Sequence, residues 1–483
     1  MIRPLTAPPR AARPLYVELA DSVQALVDQG TLRPGHRVPS VRVMARQRDV
    51  SVATVVQAYT VLENRGYLEA RPQSGFYVRA RPLAAAPEPR MARPVSRPSF
   101  VGINDLTADV LEVALNGDFV PFGSGCPHPS LFPVKRLARV LGSVARRDPE
   151  IIGQPGLNWG YEPLTREIAR RHLQAGVPLG HEGIVVTSGA TEALNLCLRA
   201  VTRPGDTVAI ETPAYFGFLE IIQSLNLRAL EIPTCPREGM CLDALEAALK
   251  RNEVRVVMVM PNFHNPLGAL MPDEKKRRLL ELAAAHDLPV IEDDLYGDTH
   301  FDDVRPKPIK AWDRDGRVML CSSFGKTLAP GFHVGWTAPG RHLETVRRLK
   351  FVNTMGTPRI LQKTLAEFLR EGGYDHHLRG LRRAYREHLH AFLQGMQRHF
   401  PAGTRYSRPR GGNFIWVEFP AGVDTLRLRR EALRHRINTA PGPIFSAVKD
   451  RYRHCLRMSC SQPWSEAMDA ALATLGGLVR QQL

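Results

Sequence analysis

The 483-residue chain lacks any apolar run of the 18 or more residues that a membrane span requires, and Met1 to Arg10 form no apolar signal core. A cytoplasmic protein is the expectation. The seven cysteines (Cys126, Cys197, Cys235, Cys241, Cys321, Cys455, Cys460) are scattered, odd in number and without a CxxC pair. That spacing argues against a disulfide framework and against a zinc site, and predicts reduced thiols with no bound metal. Lysine is absent from residues 1–98, which carry 15 arginines against seven acidic residues, a local excess of +8 within a net charge of +17. Net charge alone fits a polyanionic partner or the solvated arginine faces of a basic proteome. The excess, however, concentrates at the N-terminus. Hydrophobic residues make up 43% of the chain, ample for buried cores, and its length predicts two to four domains.

From Pro14, the apolar residues Leu15, Leu19, Val23, Leu26 and Val27 recur at helical spacing until Gly30, and Pro34-Gly35 breaks the pattern. Ser40 is a good N-cap for a short second helix that turns Met44 and Ala45 inward. Ser51 caps a third, with Val55, Ala58, Tyr59 and Leu62 on its apolar face. The short turn Arg48-Asp49-Val50 makes the second and third helices a helix-turn-helix. After Gly66, Tyr67 to Ala70 and Gly75 to Val78 read as a two-stranded wing around Arg71-Pro72-Gln73-Ser74.

The string Leu32 to Arg42, with Val50-Ser51, Ala58-Tyr59, Leu62-Glu63, Gly66-Tyr67-Leu68 and Ser74 to Val78, resembles a GntR-type winged helix-turn-helix over residues 14–79. The resemblance implies that the Ser51 to Asn64 helix enters the major groove of double-stranded DNA. Arg42, Ser51, Thr54 and Gln57 would then face phosphates or base edges, with Gly75 of the wing at the backbone. Val52 stands where many members carry arginine, so a contact is missing or a thymine methyl is met instead. Each polar residue taken alone reads equally well as a solvated helix face.

Residues 81–98 contain Pro82, Pro87, Pro89, Pro94 and Pro98 and few large apolar side chains. They predict an extended linker between a DNA-binding domain at 1–80 and a large domain at 99–483, spanning up to roughly 50 Å at about 3 Å per residue. Such a reach would let the small domain lie on a partner subunit.

Beyond residue 100, helical and strand patterns alternate as in an α/β domain with a mainly parallel sheet. The runs at Ile184–Thr187, Thr207–Glu211, Arg255–Met260, Pro289–Glu292 and Val318–Ser322 suit buried strands. Ligands of such sheets bind at the carboxyl ends of the strands. There the sequence places Thr187-Ser188-Gly189-Ala190-Thr191, Pro213-Ala214-Tyr215, Asn262 to Gly268, Glu292-Asp293-Asp294-Leu295-Tyr296 and Ser322-Ser323-Phe324-Gly325-Lys326. Lys326 is flanked by small and apolar residues, a setting that lowers a lysine pKa and exposes the nucleophilic amine. A Gly at a helix start alone reads equally as capping, and Tyr215 alone as core packing.

Taken in order, these loops resemble fold type I pyridoxal-phosphate (PLP) enzymes, the aminotransferases, over about residues 100–483. The implied fold class is multidomain: a small α+β winged helix-turn-helix, then an α/β fold type I PLP-dependent domain with a C-terminal α+β subdomain from about residue 360. The resemblance implies that Lys326 forms the imine with PLP and that Ser188, Gly189, Ala190, Thr191 and Ser323 hold its phosphate. By the same likeness Tyr215 stacks on the ring, Asn265 and Tyr296 bond O3′, and Asp293 pairs with the pyridine nitrogen, the spacing to Tyr296 favouring it over Asp294. Arg457, in Leu456-Arg457-Met458-Ser459, matches the arginine that binds an amino acid's α-carboxylate. Phe122 to Pro129 resembles the loop over the substrate. Two departures stand out: His333 occupies the place of a phosphate-binding arginine, and no tyrosine lies a few residues before Gly160, where relatives supply a contact to the partner subunit's phosphate.

The two modules together resemble the MocR-type transcriptional regulators of bacteria. That resemblance implies a homodimeric, PLP-binding regulator responsive to PLP, an amino acid or an amine. A working aminotransferase with an accessory DNA-binding module is the alternative, and a domain that no longer holds PLP is a third, resting on His333.

Overall fold

The computed structural model describes residues 14–29, 31–33, 35–65, 67–71, 74–79, 86–102, 105–154, 156 and 159–483. The chain divides into two compact units, Met1–Ala85 and Ala86–Leu483.

The first unit packs three helices, Leu15–Asp28, Val41–Arg48 and Val52–Asn64, against an antiparallel pair, β1 (Leu68–Arg71) and β2 (Gly75–Val78). Ser40 Oγ accepts the Val43 N–H at 3.4 Å and Ser51 Oγ accepts the Thr54 N–H at 3.1 Å, so both serines cap their helices as the sequence predicts. Asp49, at φ 50°, makes the left-handed turn between those helices. Leu19, Val23, Met44, Val55, Tyr59 and Leu62 form the buried core. Gly30, Pro34, Gly66 and Pro72–Gln73, which the sequence placed at helix breaks and in the wing, lie outside the described residues, as does the expected 80/81 boundary.

In the second unit the strands are β3 (Ser99–Phe100), β4 (Val120–Pro121), β5 (Val185–Ser188), β6 (Thr207–Thr212), β7 (Arg228–Cys235), β8 (Gly239–Met240), β9 (Val256–Val259), β10 (Val290–Asp293), β11 (Val318–Ser323), β12 (Val334–Ala338), β13 (Arg405–Tyr406), β14 (Phe414–Glu418), β15 (Ile437–Asn438), β16 (Ala440–Pro441) and β17 (Cys455–Ser459). The large sheet runs β3-β7-β6-β9-β10-β11-β12-β5, with β8 paired to β7. Strands β7, β6, β9, β10 and β11 are parallel, whereas β12 is antiparallel to both β11 and β5. Helices Gly189–Val201, Phe216–Ser224, Leu242–Leu249 and Asp273–Ala285 connect the strands, and the strand faces are buried beneath them. The five strands expected from the sequence are present. It overlooked β7, interrupted by Glu231 and Pro233, and β12, whose Gly335 interrupts the apolar run. Gly335 has a steric reason: a Cβ there would come within 2.5 Å of the Gly189 carbonyl carbon.

A second, antiparallel sheet, β13-β14-β17-β16, packs with the helices Gly373–His399, Thr425–Arg434 and Glu466–Arg480. Arg457 of β17 stands opposite Trp416 of β14. One expectation is corrected. Residues 86–98 are not a free linker but part of the second unit, because their backbone carbonyls and amides find partners there: Arg408 Nη2 donates to Ala86 O at 3.0 Å and Arg90 N to Glu418 Oε2 at 2.7 Å. Residues 81–85 lie outside the described residues. Among the described residues no helix is long and apolar enough to cross a membrane.

Candidate cofactor site

The carboxyl ends of β6, β9, β10 and β11 lie along one edge of the large sheet, as the parallel strand order requires. Lys326 follows β11, and its Nζ donates to the Gly125 carbonyl at 2.9 Å across the Phe122 to Pro129 loop. Burial pushes the Lys326 pKa below the ordinary lysine value, as the apolar flanks predict. Asp293 closes β10. Its carboxylate accepts the Leu295 N–H at 3.1 Å, and burial raises its pKa to about 7. Neighbouring Asp294 is instead held by Arg305 at 2.6 Å and Asn262 at 2.8 Å, so the two carboxylates have different surroundings.

Asn265 lies in the turn after β9, anchored by its N–H to Met260 Sδ at 3.1 Å, and its buried Oδ1 has no hydrogen-bond partner. Tyr215 follows β6 with its ring over the next helix: a Cβ on Gly217 would lie 2.4 Å from Tyr215 Cε1. Burial raises the Tyr215 pKa to about 12 and that of Tyr296 well above the ordinary phenol value. Asp293 and Arg457 lie within electrostatic reach of both rings. Tyr296 packs edge-on against Phe414 at 5.7 Å between centroids.

The junction of β5 and its helix carries the residues expected to meet a phosphate. Gly189 adopts φ 72°, favourable for glycine, and the His333 ring lies against it. His333 itself sits at φ 50° on the exposed side. Ser323 Oγ accepts the Gly325 N–H at 3.1 Å. Ala190 is half-buried and Thr191 is exposed. The Ser188 amide, expected among the phosphate donors, is already bonded to Glu192 Oε2 at 2.6 Å, where Lys350 Nζ also binds at 2.7 Å. Ser188 therefore keeps only its hydroxyl for a ligand.

Arg457 is 1% exposed, donates to the Gly123 carbonyl, and stacks on Phe414 at 4.5 Å and Phe445 at 5.5 Å. Its Nε has no partner, burial lowers its pKa to about 10, and among the described residues it has no carboxylate within ion-pair distance. A buried guanidinium without a counter-ion is costly unless an anion arrives. Asn413, to which the sequence assigned no role, is buried with both amide atoms unpartnered. Its place after two glycines, in Gly411-Gly412-Asn413, was the available signal.

On the first unit, Arg42, Ser51 and Gln57 are exposed and Thr54 is half-buried, with Ser51 Oγ shared with Thr54 Oγ1 at 2.8 Å. Val52 is 51% exposed on the same helix. Gly75, at φ 101°, lies beside the Arg37 guanidinium, 3.3 Å from where a Cβ would stand.

Residues 156–475 match the family model for aminotransferase class I and II, and residues 15–78 match that of the gntR family of bacterial regulatory proteins. The chain belongs to the MocR-type branch that joins these two modules. Among its relatives are two Escherichia coli K12 proteins named as uncharacterized HTH-type transcriptional regulators. YjiR is 37% identical over 96% of this chain and 98% of its own length; YdcR is 37% identical over 97% and 99%. The second unit is similar to the crystal structure of LysN, an α-aminoadipate aminotransferase of Thermus thermophilus complexed with N-(5′-phosphopyridoxyl)-L-leucine. That likeness has a TM-score of 0.73 and 29% identity over 79% of this chain and 96% of that one.

Proposed function

We propose that this MocR-type protein is a transcriptional regulator that holds PLP at Lys326, binds an amino-acid effector through Arg457, and converts occupancy of that site into a change in DNA binding. It acts as a homodimer, in keeping with paired half-sites on DNA. The observation that carries the reading is the buried Arg457 guanidinium, which has no carboxylate within ion-pair distance among the described residues and lies within electrostatic reach of Lys326, in a chain that also carries a gntR module.

The residues fit the cofactor. Asn265 Oδ1 is buried without a partner, burial lowers the Lys326 pKa, and Tyr215 lies within electrostatic reach of Asp293. PLP, when bound, supplies an electron sink for bonds at an amino acid's α-carbon. Asp293 would hold the proton at the pyridine nitrogen, and Asn265 and Tyr296 would bond O3′. Tyr215 would cover the ring face. Gly189, Ala190, Ser323 and His333 would meet the phosphate, with the Ser188 hydroxyl and Thr191 at its margin. Arg457 would orient the effector carboxylate, which neutralises its buried charge. On the first unit, Arg42, Ser51, Thr54, Gln57 and Gly75 would meet DNA.

The presence of Lys326 and Asp293 together, with the likeness to LysN, also favours a second reading, an aminotransferase whose turnover accompanies regulation. Removing residues 1–80 tests the scheme. We expect DNA binding to vanish and PLP uptake to persist, with the full chain's affinity falling steeply as salt rises. DNA binding by the truncated chain would refute it. Conversion of amino acid to oxo acid at enzymatic rates would favour the second reading.

A further inference from the structure

The groups that face the pocket are divided between two sheets. Lys326 and Asn265 follow strands of the large sheet and Asp293 ends one, whereas Asn413 precedes β14 and Arg457 lies on β17 of the second sheet. A ligand that touches both sets fixes the position of one sheet against the other. Residues 86–93 lie across the same division.

Glu88 is tied to both sides. Its carboxylate meets Arg237 Nε, in the β7–β8 turn of the large sheet, at 2.5 Å, while its carbonyl accepts Arg405 Nη1, on β13 of the second sheet, at 3.3 Å. On the second-sheet side, Arg408 Nη2 holds Ala86 O at 3.0 Å, Tyr406 N donates to Pro87 O at 3.3 Å, and Glu418 accepts the Arg90 N–H at 2.7 Å. Arg451 donates to Arg93 O and pairs at 2.9 Å with buried Glu231 of β7. Pro89 is buried between these anchors.

The second-sheet anchors sit on the ladder that carries the effector groups. Glu418 is two residues from Trp416, which stands opposite Arg457, and Phe414 at the head of β14 stacks on the Arg457 guanidinium. Glu88 thus spans from Arg237, beside the large sheet, to Arg405, on the sheet that carries Arg457, so a shift of β14 and β17 against the large sheet acts on these contacts.

We infer that residues 86–93 are a strap that reads the relative position of the two sheets and passes effector occupancy of the Lys326–Arg457 site along the chain toward the DNA-binding unit. The inference rests on the proposed function. It adds a path for the signal and gives the unexpected attachment of residues 86–98 a purpose.

Hydrogen exchange of the full chain tests it, with PLP alone and then with N-(5′-phosphopyridoxyl)-L-leucine, which carries both the cofactor phosphate and an amino-acid carboxylate. We expect exchange in the peptide covering residues 86–98, where Arg90 N–H is held by Glu418, to change by roughly threefold or more between the two ligands. Glu418→Ala should raise that exchange to one level with either ligand while conjugate affinity stays within about twofold of the original, because Glu418 touches the strap and not the pocket. Equal exchange with both ligands in the unaltered chain, with the conjugate bound, overturns the strap. Failure of the conjugate to bind at all overturns the functional reading and the strap with it.

Discussion

The His333 imidazole lies against Gly189, where a Cβ would come within 2.8 Å of its Cε1. The glycine is thus required by its φ of 72° and by this ring, and the histidine sits beside the proposed phosphate site. Arginine at that position would be always charged and would offer two N–H groups to phosphate, whereas a neutral imidazole offers one. His333→Arg should therefore tighten PLP by about 1 to 3 kcal/mol in an absorbance titration at pH 8. Unchanged affinity would mean that another group already neutralises the phosphate.

Arg457→Met should weaken binding of the phosphopyridoxyl-leucine conjugate by about 2 to 5 kcal/mol more than it weakens PLP, since the lost contact is to the carboxylate. Thermal unfolding of the cofactor-free protein should not fall, because methionine among Phe216, Phe414 and Phe445 replaces an unpaired buried cation. A conjugate bound as tightly as before would assign the effector contact elsewhere.

Asp293 sets a pH dependence. Its folded pKa of about 7 lies above the ordinary aspartate value of 3.8, so between those values the unfolded chain has released the proton that the folded chain still holds. Cofactor-free stability should thus fall as pH rises through that window, by up to about 1.4 kcal/mol per pH unit from this residue. Buried Glu211 and Glu292, each raised to about 8, add to the same fall, so the measure is the difference from Asp293→Asn. That variant should show a shallower slope in denaturant titrations from pH 4.5 to 7. Saturating PLP should flatten the slope of the unaltered protein, as its pyridinium favours the carboxylate. Identical slopes with and without the substitution would remove Asp293 from the site.

Much of this was legible in sequence because the signals are local. Ser40 and Ser51 announce helix starts through capping chemistry, and the runs that became β6, β9, β10 and β11 are continuous and apolar. Tyr215, Asn265, Tyr296 and Lys326 follow those strands, and the resemblance to the aminotransferases supplied their expected roles. What escaped is nonlocal. The attachment of Ala86 and Arg90 depends on Arg408 and Glu418, more than 300 residues away, and nothing in a Pro-rich stretch reveals its acceptors. The capture of the Ser188 amide by Glu192 is a matter of side-chain direction, and the isolation of Asn413 is visible only once its surroundings are assembled.

The proposed sensing depends above all on Lys326 holding the cofactor covalently. Borohydride reduction of the PLP-loaded full chain, followed by mass analysis of its peptides, reads that bond itself. A phosphopyridoxyl group is expected on Lys326, with no labelled peptide from Lys326→Ala. A label on another lysine, or equal labelling of the two proteins, would contradict it.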